Sequence, residues 1–305
     1  MATKVILDTD IGTDVDDCLA LALLLGSPEI ELLGVSCVYG DVELRARMAM
    51  KLLNLRGRTD VPVLAGVTRP LLGRRPVYWA GHEGEGLLDP ADGRLLPSPE
   101  HAVDFLVRRV MAEPGQIHLV AIGPLTNVAL AFLREPRLAA SLAHLTIMGG
   151  AIRGPGRFAL PYCEHNVTCD PEAAHVVLSA GAPTTLIPLD VTTQVRLRPA
   201  GVERIRLGGS AFHRAVASQV ELYPPFRERG FTHLHDPLAA AAVVRPGLVT
   251  TESLHLDVET EGRYTAGATL VRAPGEKAPA NVEVALGVEA ERFEEFLVER
   301  LAANG

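Results

Sequence analysis

Five aspartates fall within ten residues near the N-terminus, in the segment Asp8-Thr9-Asp10-Ile11-Gly12-Thr13-Asp14-Val15-Asp16-Asp17. Packing like charges this densely costs free energy unless a cation or the N-terminus of a helix compensates them. A helix cap accounts for one of these residues, Asp14 or Asp16, but not for all five. Because carboxylate oxygens without His or Cys ligands suit Ca²⁺ or Mg²⁺ better than zinc, the segment predicts a divalent-cation site.

The acidic segment, residues 8–17, follows a predicted strand at Val5–Leu7 and leads into a predicted helix at Asp16–Leu25. Short apolar runs then alternate with stretches of helical period along most of the chain. This alternation is typical of an α/β fold, with a mostly parallel central sheet that helices cover on both faces. The site is expected at the carboxyl ends of the strands, where long Gly/Pro-rich loops at 66–99 and 149–161 would serve it.

The order of predicted helices and strands is less regular in the last third of the chain. Helices are predicted at Ala211–Leu222 and Pro237–Val244, strands at Ser253–Thr260 and Thr269–Arg272, and a closing helix at Glu289–Ala302. No Ser/Gly-rich linker interrupts the chain, and large single α/β domains are common. We therefore predict one domain over residues 1–305.

Composition and charge exclude several classes of function. The 305 residues carry a formal net charge of −8, which repels phosphate backbones and anionic lipid, so we expect neither a nucleic-acid nor a membrane partner. The longest apolar runs, Cys18–Leu25 and Leu238–Val244, fall far short of the roughly 20 residues that a membrane span needs. The four cysteines form no Cys-x-x-Cys pair and the N-terminus has no signal-peptide pattern, so we expect reduced thiols and a cytoplasmic location.

The acidic segment also carries a family resemblance. Asp8-Thr9-Asp10-x-Gly12, followed by Asp16-Asp17-x-x-Ala20-Leu21, resembles the N-terminal signature of the inosine-uridine preferring nucleoside hydrolases. Further segments match in the family's order: 34–41, 123–127, Met148-Gly149-Gly150 with Glu164-x-Asn166 and 170–174, and His235-Asp236-Pro237. The resemblance implies a Rossmann-like fold and the Ca²⁺-dependent hydrolysis of the N-glycosidic bond of ribonucleosides, which releases base and ribose.

The resemblance implies a cation site and a catalytic pair. Ca²⁺ would be held by Asp10, Asp17, the backbone carbonyl of Ile122 and the carboxylate of Asp236. Asp10 would also take the proton of a cation-bound water, while the carboxylates stabilise the oxocarbenium-like charge at C1′. His235 matches a histidine that family members use near the base, and it is the predicted general acid for the departing purine or pyrimidine.

The sugar-binding residues follow from the same resemblance, with one alternative. Asp16 would accept hydrogen bonds from ribose hydroxyls. However, three residues separate Gly12 from Asp16 where the signature has one, so Asp14 could replace Asp16 in this role. Glu164 and Asn166 match the family's ribose-binding pair.

Three further residues are expected around the substrate. Met148 could lie against the sugar, and His82 resembles a histidine on a flap over the base. Asp41 stands where the family often carries Asn, so it keeps an acceptor but lacks the amide donor. The family also presents an Asn for the ribose 5′-hydroxyl between Gly154 and Glu164, and this chain has none there. Arg157 in that stretch raises the hypothesis of a 5′-phosphorylated or otherwise anionic substrate.

Two other functions compete with the hydrolase. Asp8-x-Asp10 at a strand end could begin an Mg²⁺-dependent aspartyl phosphohydrolase, but no Lys stands at a strand end to neutralise a transferring phosphoryl group. A non-catalytic nucleoside- or sugar-binding protein could retain the cation site. The presence of Asp10, Asp17, Asp236 and His235 together argues against that alternative. Family members are commonly dimers or tetramers, which implies a homo-oligomer.

Overall fold

A computed structural model describes residues 2–152, 163–272 and 278–303. The strands are β1 Thr3–Thr9, β2 Ile30–Cys37, β3 Val63–Ala65, β4 Ile117–Ala121, β5 His144–Met148, β6 Thr184–Ile187, β7 Arg196–Leu197, β8 Thr232–His233, β9 Val249–Leu254, β10 Leu256–Val258, β11 Thr269–Val271 and β12 Val282–Val288. The helices are α1 Asp16–Leu25, α2 Val42–Leu55, α3 Ala102–Ala112, α4 Thr126–Arg134, α5 Leu138–Ser141, α6 His165–Cys169, α7 Pro171–Ser179, α8 Leu189–Thr192, α9 Pro199–Leu207, α10 Ala211–Leu222, α11 Pro224–Arg229, α12 His235–Val244 and α13 Ala290–Ala302.

Eight strands form the central sheet, in the order β3-β2-β1-β4-β5-β6-β12-β9. All neighbouring pairs are parallel except β12 with β9, which are antiparallel. Two short antiparallel ladders, β10 with β11 and β7 with β8, lie outside this sheet. The single α/β domain with a mostly parallel sheet is therefore confirmed.

An apolar core covers each face of the sheet. On one face, helix α1 contacts α12, α10 and α13, and its side chains from Cys18 to Leu24 are all buried. Helix α1 is apolar on every side because it lies between the sheet and this outer set of helices. On the other face, α3, α4 and α7 bury side chains such as Phe105, Val128 and Val177. Each fully buried side chain of this kind contributes about 1.5–3 kcal/mol to the free energy of unfolding.

Two features of the last third differ from the sequence prediction. The predicted strand at Ser253–Thr260 is two strands in different sheets, because the chain leaves the central sheet at His255. Asn281 stabilises the chain at this break, because its side chain accepts a hydrogen bond from the N–H of Leu256 and donates one to the C=O of the same residue. Strand β12 was not predicted, although its alternating valines place it between β6 and β9.

The register of the parallel strands brings their carboxyl ends to one edge. Asp8 of β1 pairs with Ala121 of β4, and Met148 of β5 pairs with the last residue of β6, Ile187. Residues directly after these strands therefore meet, as the sequence predicts. All four cysteines are free thiols, and among the described helices none is long and apolar enough to cross a membrane. The Arg157 hypothesis lies outside the described residues, as does most of the predicted loop at 149–161.

Candidate active site

A cavity of about 580 Å³ opens at the carboxyl edge of the sheet. Apart from Asp41, it is lined by all the residues that the sequence analysis assigned to the site: Asp10, Asp14, Asp16, Asp17, His82, Ile122, Met148, Glu164, Asn166, His235 and Asp236. Asp41 is exposed at the N-terminus of α2, where its carboxylate accepts from the N–H of Leu44 at 2.9 Å. Asp41 therefore caps helix α2 and does not line the cavity, where a substrate-binding role was predicted for it.

Three buried carboxylates form the most concentrated negative charge in the cavity. Asp16, Asp17 and Asp236 offer oxygens that all lie within 4.8 Å of one another. Helix α1 carries two of them in its first turn, and helix α12 carries the third in its own first turn. Neither helix has a side-chain cap, so capping does not explain the acidic segment. We call Asp16, Asp17 and Asp236 the carboxylate triad.

The electrostatics of the triad suit a bound cation. Burial, together with the repulsion of neighbouring aspartates, raises the pKa of each triad carboxyl well above its usual value. Their hydrogen-bond support is small: Asp17 accepts from the Thr9 hydroxyl, and Asp16 accepts from the N–H of Asp236 at 3.2 Å. A divalent cation compensates clustered carboxylates directly. The donor set of three carboxylates without His or Cys therefore fits a hard cation such as Ca²⁺ or Mg²⁺.

Asp10 stands beside the triad, just after β1. Its carboxyl pKa is raised by burial, while the charges of Arg45 and His165 oppose that rise. The approach to Gly123 is close, since a Cβ at that glycine would lie 2.8 Å from Asp10 Oδ1. Residue 123 must therefore be small, which gives a physical reason for the Gly123-Pro124 motif.

Ile122 and Asn166 are directly joined at the end of β4. The Asn166 amide donates to the carbonyl oxygen of Ile122 at 2.8 Å, and it lies 3.4 Å from the Met148 carbonyl. The Ile122 carbonyl keeps a second lone pair, so it can still serve as an oxygen ligand. Both residues lie where the sequence analysis expected them, and their roles in binding stay predictions.

Glu164 organises the backbone around it. Its carboxylate accepts from the N–H groups of Asn166 at 2.7 Å, Val167 at 3.0 Å and Gly150 at 3.1 Å. It caps helix α6 and fixes the turn that follows Met148. This anchoring is the alternative to ribose binding for Glu164, and the side chain also lines the cavity.

His235 lies in the first turn of α12, beside the triad residue Asp236. Its Nδ1 is 2.7 Å from the Thr192 hydroxyl of α8. Burial, with a smaller contribution from the neighbouring His233, lowers the pKa of His235 to about 3. The imidazole is therefore neutral at pH 7 in the protein alone, so any hydrogen bond that it donates comes from a neutral ring N–H.

Asp8 is fully buried and does not line the cavity. Its carboxylate accepts from Ser36 and from the Asn127 amide at 2.8 Å, and burial raises its pKa to about 7. Asp8 is thus not placed as the nucleophile of a phosphohydrolase. Asn127 and its neighbour Thr126 do not cap α4, because their side chains bond Asp8, Val67 and Asp170 instead. Asp170 caps α7.

Three aromatic side chains are among the lining residues that the sequence did not assign to the site. His165 is exposed between Glu164 and Asn166, and its ring meets Tyr78 edge to face at 5.6 Å between centroids. Tyr223 also lines the cavity, with its ring centroid 6.4 Å from that of His82. The signal for His165 was its position inside the Glu164-x-Asn166 motif. Tyr78 comes from a loop without periodicity, so its sequence gave no such signal.

Comparisons with known proteins agree with this geometry. The model of the inosine-uridine preferring nucleoside hydrolase family matches residues 5–295. A pyrimidine-specific ribonucleoside hydrolase, RihA of Salmonella arizonae, is 35% identical over the full length of both chains. A solved plant nucleoside hydrolase superposes with a TM-score of 0.87 at 30% identity over 100% of both chains. A purine-preferring ribonucleoside hydrolase from Gardnerella vaginalis superposes with a TM-score of 0.84 at 29% identity over 98% of both chains.

The match to the family model spans nearly the whole chain, and motif residues from the acidic segment, from Met148 and Glu164-x-Asn166, and from His235-Asp236 line one cavity. The family resemblance predicted from the sequence is thereby confirmed. The chain belongs to the inosine-uridine preferring nucleoside hydrolase family, whose members are hydrolases acting on N-glycosyl bonds.

Proposed function

We propose that this protein hydrolyses the N-glycosidic bond of ribonucleosides in a Ca²⁺-dependent reaction. The observation that carries the proposal is the buried carboxylate triad, which lies beside Asp10 in the wall of a cavity large enough for a nucleoside. Relatives of both purine-preferring and pyrimidine-specific kinds support ribonucleosides as the substrate class.

The residues that would hold the cation are Asp17, Asp236, Asp10 and the carbonyl of Ile122, with Asp16 completing the triad. Asp14 then becomes the proposed ribose contact, because its side chain is exposed in the cavity while Asp16 is buried. When bound, a divalent cation supplies Lewis-acid chemistry that lowers the pKa of water and favours oxygen ligands such as sugar hydroxyls.

The side chains that line the cavity then have separate roles in the reaction. Asp10 takes the proton of the attacking water as general base. The clustered carboxylates stabilise the positive charge that develops at C1′ as the bond to the base breaks. Glu164 and Asn166 fix the backbone of the sugar side of the cavity, while Met148 packs there. His235 donates its Nε2–H toward the departing base, in the tautomer whose Nδ1 accepts from the Thr192 hydroxyl.

The first test is ribose release from inosine, uridine, cytidine and adenosine, before and after Ca²⁺ is removed with a chelator. We expect turnover that disappears with the cation and returns when Ca²⁺ is added back, because a divalent cation compensates the clustered carboxylates directly. Turnover that survives complete removal of divalent cations would contradict the cation dependence. Binding of a nucleoside without any release of ribose would instead indicate the non-catalytic binding protein.

His235→Ala should separate the leaving-group role from binding. We expect kcat on inosine or uridine to fall about 10²- to 10⁴-fold, the usual contribution of a general acid. Turnover of 4-nitrophenyl riboside should fall much less, since nitrophenolate leaves without protonation. Thr192→Val is the matched variant, because it removes the partner of Nδ1 and leaves the imidazole in place. An equal loss on both kinds of substrate would remove His235 from leaving-group activation.

The family resemblance bears on the oligomeric state of the protein, and the free cysteine thiols bear on its cellular location. We propose a cytoplasmic homo-oligomer, supported by the resemblance to a family of dimers and tetramers and by the four free cysteines. Light scattering on the purified protein measures the mass directly, and a monomer at micromolar concentration would overturn the oligomer.

A further inference from the structure

The loop that carries His82 is fastened to the acidic segment through one residue, Thr13. We call residues 78–86 the flap segment, since Tyr78, Ala80 and His82 all line the cavity. The Thr13 hydroxyl donates to Glu83 Oε1 at 3.0 Å, and the Thr13 carbonyl accepts from His82 Nε2 at 3.0 Å. Two consecutive residues of the flap segment thus contact the same residue of the acidic segment.

Arg45 supports Thr13 from the protein interior. Its side chain is completely buried, and its guanidinium donates to the Thr13 hydroxyl at 3.1 Å. It also donates to the carbonyls of Asp10 and Ile11 on the same segment, and to the carbonyl of Tyr39 at 2.6 Å. A planar guanidinium with several fixed donors holds the backbone after β1 in one conformation. Arg45 does this through backbone carbonyls, so the Asp10 carboxylate remains available to the cavity.

Glu83 forms the other side of the bridge. Its carboxylate accepts from the N–H groups of Ala80 at 2.9 Å and Gly81 at 2.7 Å, in addition to the Thr13 hydroxyl. Burial opposes ionisation, but these hydrogen bonds outweigh it and lower the pKa of Glu83. The carboxylate therefore orders the turn of the flap segment and attaches that turn to Thr13.

We propose that Thr13 is a positioning residue that holds the flap segment, and His82 with it, over the cavity by joining Arg45 to Glu83. A hydroxyl can accept from a guanidinium and donate to a carboxylate at once, which an apolar side chain of the same shape cannot do. Thr13 also lies in the stretch between Gly12 and Asp16 where this chain is longer than the family signature. The role of the flap segment toward substrate rests on the proposed function, whereas the attachment itself does not.

The single tryptophan of the chain reports the attachment. Trp79 lies within the flap segment, 37% exposed, with the Arg45 guanidinium 5.0 Å from its ring centroid. Thr13→Val removes the hydroxyl and keeps the shape, while Thr13→Ser keeps the hydroxyl. Losing the bridge should raise the population of the detached flap about fivefold, as expected for one hydrogen bond. Acrylamide quenching of Trp79 without substrate should therefore increase in Thr13→Val and match wild type in Thr13→Ser.

Kinetics provide the second readout. With His82 less often in place, Thr13→Val should raise KM for a nucleoside by up to about fivefold, the limit that is reached when the detached flap predominates, and should change kcat little, because a smaller fraction of the enzyme is competent to bind. Thr13→Ser should restore the wild-type KM. Wild-type quenching in Thr13→Val would overturn the proposal, and so would equal increases in both variants. Since quenching needs no turnover, an inactive wild-type protein would contradict the proposed function alone.

Glu83→Leu is a second variant, for the case that a Thr13 variant fails to fold. It keeps roughly the size of the side chain and removes both carboxylate oxygens, one of which accepts from the Thr13 hydroxyl. We expect an increase in Trp79 quenching at least as large as in Thr13→Val, because the hydrogen bonds from Ala80 and Gly81 are lost as well, with unchanged cooperativity of thermal unfolding. Glu83→Leu with wild-type quenching would show that the bridge does not hold the flap segment.

Discussion

Asp10→Asn is expected to lower kcat about 10³- to 10⁴-fold while the protein remains folded, because the substitution removes the proposed general base and little else. The amide keeps one oxygen that can contact a cation, and it matches the carboxylate in size. The contacts of Arg45 with this residue go to its backbone carbonyl, so they survive the change. The loss should therefore fall on kcat rather than on the thermal midpoint.

The measurement is steady-state ribose release at saturating nucleoside and saturating Ca²⁺. Asp60→Asn is a matched control, since Asp60 is exposed and pairs with Arg58 at 2.9 Å away from the cavity. Ca²⁺-dependent stabilisation of Asp10→Asn, followed by thermal unfolding, separates loss of the base from loss of the cation. A variant that keeps kcat within tenfold of wild type would remove Asp10 from proton transfer.

The parts of the fold that the sequence predicts best are those whose pattern is local. Helices Asp16–Leu25 and Ala211–Leu222 were predicted with the bounds that the structure shows. Strand β12 was not predicted, because its place between β6 and β9 depends on distant pairing partners. The break between β9 and β10 also depends on a distant residue, Asn281. The local pattern of a single sequence indicates such long-range strand pairings only weakly.

The candidate site shows the same division. Residues in motifs at strand ends, such as Asp10 and Met148, converge because the parallel register is regular. The resemblance implied that Asp17 and Asp236 share a cation site, but the place of the Asp16 carboxylate within the same group was not predicted, since it depends on how α12 packs against α1. Arg45 was also missed, because a lone Arg on an amphipathic helix is ordinarily a surface residue. Its complete burial follows from backbone carbonyls that only the folded loop presents to it.

Removing the cation should make the folded protein increasingly unstable as the pH rises. Burial raises the pKa of Asp8 to about 7 and raises those of the carboxylate triad above their usual value. Between about pH 4 and pH 7 these carboxyl groups therefore bind more protons in the folded chain than in the unfolded chain, so their contribution to the free energy of unfolding falls with rising pH. Above pH 7 Asp8 is ionised in both states, so its contribution to the free energy of unfolding falls no further. This sign is opposite to that of salt-bridged carboxylates, whose depressed pKa makes a protein less stable in acid.

Calcium should reverse this trend if, as proposed, it binds the ionised triad of the folded state only. At Ca²⁺ a thousandfold above its Kd, the added free energy of unfolding is about 4 kcal/mol, which corresponds to roughly 6 °C in Tm for a chain of this size. The stabilisation should be larger at pH 8 than at pH 5, since protons compete with the cation for the carboxylates. Calorimetry with Ca²⁺ and with a chelator at both pH values measures it.

Asp236→Asn tests directly whether a cation compensates the charge of the triad. In chelator at pH 8 the variant should be more stable than wild type by roughly 3 kcal/mol, because it removes an uncompensated buried charge. In Ca²⁺ the order should reverse, since a ligand has been lost from the triad. Asp60→Asn should match wild type in both conditions. If Asp236→Asn is less stable than wild type even without the cation, the triad is held together by something other than compensation of its charge, and the cation site proposed for it is wrong.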